Sequence, residues 1–84
     1  MRTDHITFRS ITLAQGGERI LQRGGIGCTL QRAPKQMAKN GCGYSLRIRP
    51  ADASTAIALL RTHSAPFSKL YAQHDYGTIE ELAL

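Results

Sequence analysis

The pattern of the chain predicts an α+β fold, a ferredoxin-like βαββαβ sandwich with a four-stranded antiparallel sheet and two helices on one face. Three observations predict it. Apolar residues alternate with polar ones over residues 5–9 and 44–49, the period of half-buried strands. Helical spacing relates Leu13, Gly17, Ile20 and Leu21, and again Ala53, Ala56, Ile57 and Leu60. Each helical stretch lies between two strand-like stretches, so a strand–helix–strand order occurs twice. With 84 residues the chain supports one domain, residues 1–84, with a core over 5–73 and a tail over 74–84.

The first strand, residues 5–9, points Ile6 and Phe8 inward. Thr12 is placed to N-cap a helix of about three turns. Gly16 and Gly17 each cost that helix about 1 kcal/mol relative to Ala, which predicts close packing at the pair. Gly24 and Gly25 supply a left-handed stop. A second strand over 26–30 sets Ile26, Cys28 and Leu30 on one face, and Pro34 ends it. Residues 35–39 suit a single helical turn. Residues 40–43, Asn-Gly-Cys-Gly, are turn chemistry, because Asn and Gly accept positive φ. The third strand, 44–49, turns Leu46 and Ile48 inward and Arg47 and Arg49 outward. Asp52 then falls in the first turn of the second helix, where its charge complements the dipole. Residues 63–66 break that helix, and 68–72 form the fourth strand. The tail is expected to hold a last helical turn capped by Thr78, with Ile79 and Leu82 docking.

Eleven Lys and Arg against six Asp and Glu leave a net charge of +5, which favours acidic partners. The cations are spread along the chain, as on a solvated basic surface. No apolar run approaches the roughly 20 residues of a membrane span, and no apolar segment follows the first charges as in a secretory signal. A cytoplasmic location is expected, with no membrane partner. Cys28 and Cys42 are too few for a disulfide framework and default to reduced thiols. Neither lies in a CxxC, and His5, His63 and His74 lack ligand spacing, so neither metal nor cofactor is expected. Residues 24–27 are glycine-rich but precede a strand, which excludes a dinucleotide loop. With no Ser/His/Asp order and no paired carboxylates, autonomous catalysis has no visible machinery.

Cys42 is the residue that core packing leaves over. Gly41 and Gly43 flank it, removing side-chain bulk so that another molecule's sulfur can approach. The plain alternative is a tight turn that happens to contain a cysteine. Three segments go further: Leu21-Gln-Arg-Gly-Gly-Ile26, then Ala33-Pro34-Lys35, then Gly41-Cys42-Gly43 leading into the alternating 44–48. Together these resemble the small bacterial selenium/sulfur (Se/S) carrier protein-like family, over most of the chain from His5 to Tyr71. The Cys-Gly ahead of the strand is the most specific part. Family members often carry serines before that Cys-Gly and an Arg after the proline. This chain has Lys39-Asn40-Gly41 and Lys35 instead.

The resemblance implies a carrier that holds sulfur or selenium on Cys42 as a persulfide or selenosulfide and passes it to an acceptor. The donor would be an enzyme such as a cysteine desulfurase. The attacking species is a thiolate, which neighbouring cations favour. Lys35 and Lys39 in the same connection would support it, with Arg32, Arg47 and Arg49 on the flanking strands. The N–H groups of Gly43 and Tyr44 could form an anion nest. Two other classes stay open. A thiol switch between Cys28 and Cys42 needs Cα atoms within about 7 Å. An RNA- or protein-binding module would use the open face of the sheet. For RNA that needs exposed aromatics, and with Phe8 in the core only Tyr44, Tyr71 and Tyr76 remain, so nucleic acid is disfavoured.

Overall fold

The computed structural model describes residues 2–38 and 41–84 and shows a small α+β fold with two α-helices and a five-stranded antiparallel sheet. Strands β1 (Thr3–Phe8), β2 (Thr29–Arg32), β3 (Tyr44–Ile48), β4 (Leu70–Gln73) and β5 (Ile79–Leu82) lie in the order β2-β3-β1-β4-β5. Helix α1 (Ile11–Arg23) connects β1 to β2, and α2 (Ala53–Thr62) connects β3 to β4.

Alternation along β1 and β3 builds the main core. Ile6 pairs with Leu46 on one side and Leu70 on the other, so these side chains share one face. Phe8 and Ile48 join them, and Ala14 and Leu21 of α1 pack there with Ala56, Ile57 and Leu60 of α2. Both helices therefore cover the same face of the sheet. The inward stripe expected for α2 is buried at all four positions, and Arg47 and Arg49 point out.

The ends of α1 are set by local chemistry. Ser10, not Thr12, is the N-cap: its extended backbone places Oγ to accept the Leu13 N–H at 3.1 Å. Gly25, at φ +81, closes the other end, with its N–H on the Gln22 carbonyl and the Ile26 N–H on the Leu21 carbonyl. That closure draws Ile26 into the core before the strand begins, so β2 starts at Thr29 rather than at 26. The close packing expected at the glycine pair holds for Gly17 alone. A Cβ there would lie 2.8 Å from Phe8 Cζ, whereas Gly16 faces open space.

The tail differs from expectation. Residues 79–82 form β5 against β4, with Leu70 opposite Leu82 and Gln73 opposite Ile79. Positive φ at Tyr76 (68°) and Gly77 (80°) reverses the chain there, and the His74 N–H meets the Thr78 carbonyl at 2.7 Å. That reversal suits a strand hairpin and leaves Thr78 extended, not capping a helix. The sheet thus has five strands, not four. Fourth-strand pairing runs over Leu70–Gln73, and the turn expected at 35–39 is a 3₁₀ turn at Lys35–Met37. Residues 39 and 40 lie outside the described part. Among the described residues, no helix is long and apolar enough to cross a membrane.

The other face of the sheet carries His5, Thr7, Ser45 and Tyr71, and all four are buried. The connection between β2 and β3 adds two further buried residues. Its Met37 and Cys42 are buried yet stand outside the helix-side core.

Candidate functional site

Cys42 sits where that connection returns to the sheet. Gly41, at φ +82, makes the turn in a conformation that L side chains rarely adopt. The Gly43 N–H bonds back to the Gly41 carbonyl at 3.0 Å, and the Gly43 carbonyl accepts the Ala33 N–H at 3.0 Å. These bonds tie the two ends of the connection together and fold Cys42 inward. Its side chain is only 6% exposed, and Sγ donates to Ser68 Oγ at 3.0 Å. A loop thiol open to solvent was the expectation. The thiol is instead packed against the lead-in to β4, because the turn around Gly41 aims it there.

The neighbours of Cys42 follow from the β1–β4 pairing. Thr7 exchanges backbone bonds with this segment, its N–H on the Lys69 carbonyl at 2.9 Å and its carbonyl accepting the Ser68 N–H at 2.8 Å. Ser68 and Lys69 are thereby fixed beside the thiol. A charge on the Cys42 sulfur would raise both the Lys69 ammonium and the Tyr71 phenol, as the smallest of the influences on each. Lys69 Nζ is held 3.0 Å from Glu81 Oε2, and this bond and the Glu81 charge raise the Lys69 ammonium above its ordinary value. Burial first, then Glu81, push the Tyr71 phenol up, so it stays protonated. Ser68 also lines a cavity of about 90 Å³ with Arg9, Leu13, Pro66 and Phe67.

The residues singled out from the sequence are only partly brought together. Gly41 and Gly43 shape the turn. The Gly43 N–H is committed to Gly41 and is not free for an anion nest. Lys35 is exposed on its 3₁₀ turn, with no hydrogen bond or ion pair among the described residues, and Lys39 lies outside them. Arg32 stacks on Tyr44, 5.7 Å from the ring centroid. Arg47 and Arg49 lie at the far end of β3. Sequence reasoning missed Ser68 and Lys69, which sit 26 and 27 positions along the chain from Cys42; only the pairing of β4 with β1 could have found them.

Cys28 is half-buried, and burial, then Glu18, push its thiol up. It precedes Thr29, which faces Arg47, whereas Cys42 precedes Tyr44 at the other end of β3. About 13 Å of strand lies between Tyr44 and Ile48. That exceeds the reach of a disulfide, so the two thiols do not form an intramolecular switch in this fold. Of the tyrosines, Tyr71 is buried, Tyr44 half-buried and Tyr76 fully exposed. No His, Cys, Asp or Glu cluster suited to a metal occurs among the described residues.

The site and most of the fold fall within a known sequence family. Residues 5–72 match the model of the family described as "Putative Se/S carrier protein-like". No curated protein and no solved structure matches the chain. The matched stretch includes Cys42, Ser68 and Lys69 and ends before β5. Since it covers well over half of the chain, the protein belongs to the Se/S carrier protein-like family.

Proposed function

We propose that this protein carries a sulfur or selenium atom on Cys42 and hands it to an acceptor. The observation that carries the reading is the Cys42 thiol fixed on Ser68 Oγ at 3.0 Å beside Lys69, inside the family-matched stretch. A thiolate at this position attacks the terminal sulfur of a donor persulfide, R–S–SH. The donor S–S bond breaks, a new Cys42 S–S bond forms, and R–S⁻ leaves, so no outside oxidant is needed. The Ser68 hydroxyl, which accepts the thiol proton's bond, reorients to donate once the sulfur is anionic. Lys69 offsets the charge of the thiolate and of the loaded persulfide. A selenium donor follows the same balance with Se in place of the outer S.

The packing around Cys42 suits a carrier. A loaded persulfide is labile to thiols and oxidants, and the burial of Cys42, 6% exposed, slows their access. As for the frame, the order β2-β3-β1-β4, with a helix after β1 and after β3, supports the ferredoxin-like reading, extended at one edge by β5. A cytoplasmic setting, in which thiols stay reduced, would suit the chemistry.

The test uses the whole protein with a cysteine desulfurase and cysteine, read by intact-protein mass spectrometry. Wild type should gain the mass of one sulfur atom, located on Cys42 and removable by reductant. Cys42→Ser should gain none at that site while keeping the wild-type circular dichroism. Loading of Cys42→Ser at the wild-type level, or no loading of wild type by several active donors, would sink the reading.

A further inference from the structure

A cavity well larger than the one beside Ser68 lies away from Cys42. It opens at the end of the sheet where β1 and β2 begin and β3 finishes, with a volume of about 690 Å³. Arg2, Arg47 and Arg49 line it, with Cys28, Ile48 and Pro50, and its lining includes no carboxylate. Two of the guanidinium groups are braced from behind. Asp4, fully buried, holds Arg2 through bonds of 2.8 and 3.0 Å, and Asp52 holds Arg49 at 3.1 Å. Braced guanidinium groups keep their remaining N–H donors in fixed directions. Arg47 has no carboxylate partner among the described residues and is exposed. Asp4 and Asp52 thus engage two of the three arginines, Glu80 also acts on Arg2, and Arg47 is the one left without a carboxylate in bonding distance among the described residues.

These features select a ligand class. Guanidinium forks match phosphate oxygens bidentately. The volume is that of a small-molecule site, and Ile48 and Pro50 give an apolar wall for an organic body. Among the described residues no aromatic ring lines the cleft, so the stacking that single-stranded nucleic acid uses has no platform there. We propose that this cleft binds a small phosphate-bearing organic molecule, the phosphoryl group on Arg47 between Arg2 and Arg49. The site is independent of sulfur transfer at Cys42, which stands at the other end of β3.

Cys28 provides the readout, because a ligand in the cleft shields its thiol while Cys42 serves as an internal reference. The full-length protein is labelled with a small uncharged maleimide in the presence of adenosine monophosphate, adenosine or a short single-stranded RNA. Peptide mass spectrometry follows each cysteine. Adenosine monophosphate should slow Cys28 labelling saturably, adenosine should not, and Cys42 should be unaffected. Loss of one bidentate charged pair should raise the half-protecting concentration in Arg47→Gln about ten-fold or more. Arg47→Lys should recover part of it. Arg47 is exposed, so both variants should fold, and circular dichroism checks this. Absence of saturable protection, equal protection by adenosine, or an unchanged Arg47→Gln would overturn the proposal. Protection by RNA at lower nucleotide concentration than adenosine monophosphate, with steep loss on adding salt, would overturn it in favour of a nucleic-acid surface.

Discussion

Ser68 has a single hydroxyl facing the Cys42 thiol, and its removal tests the proposed holding of sulfur apart from folding. A hydrogen bond to a charged group contributes about 1.5–3 kcal/mol, which corresponds to about ten-fold or more in rate. Ser68→Ala should therefore slow sulfur loading by about that factor, measured by time-resolved mass spectrometry, while thermal unfolding changes little. The two glycines around Cys42 should behave differently. Gly41 needs φ +82, so Gly41→Ala should cost about 1–2 kcal/mol in urea unfolding. Gly43 has open space where a Cβ would point, and Gly43→Ala should be nearly neutral. Ser45 carries a buried Oγ with no hydrogen-bond partner among the described residues. Removing an unsatisfied hydroxyl avoids its desolvation cost, so Ser45→Ala should leave stability unchanged or raise it.

β5 connects the tail to the surroundings of Cys42. Leu82 packs against the core, and Glu81 holds Lys69 at 3.0 Å, so a strand beyond the family-matched stretch reaches the cation beside Cys42. The pair is about half exposed and contributes little to stability. Its carboxylate does, however, oppose the support that Lys69 gives a thiolate. Glu81→Gln should accelerate alkylation of Cys42 at neutral pH without lowering the melting temperature. Lys69→Gln should slow it, and the contrast should fade at high salt. Equal rates in both variants would remove Lys69 from the site. The alternation of β1 and β3 and the buried stripe of α2 were readable in the chain because each is a local period. The start of β2 was not, since the Gly25 closure pulls Ile26 out of strand geometry.

His5 ties pH to the stability of the whole fold. Its ring is buried in the centre of the sheet, with Nε2 on Gln73 Oε1 at 3.0 Å. Burial, the largest influence, lowers its pKa below the ordinary 6.5, the Gln73 bond opposes this, and Arg47 lowers it further while Asp4 raises it. The unfolded chain therefore binds a proton before the native one does. Stability from neutral His5 is fully present above about pH 6.5 and is lost as pH falls through the range between the unfolded and native values. The melting temperature should drop over that range, and His5→Gln should flatten the profile. An identical slope in wild type and variant would assign the pH dependence elsewhere.

The local periods and turn residues of the chain were enough to call two helices, the inward residues of β1, β3 and α2, and part of the inward face of α1, where Ala14 was missed. The family resemblance carried by the Cys-Gly turn was equally visible, because it is a short contiguous pattern. Tertiary structure alone decided that residues 79–82 add a fifth strand, that Cys42 is buried, and that Ser68 stands against its thiol. Those outcomes depend on contacts between segments distant in sequence. Side-chain period assigns a residue to a face of its own strand, but which strands become neighbours, and which loop closes over the free face, is set by how the distant segments pack together.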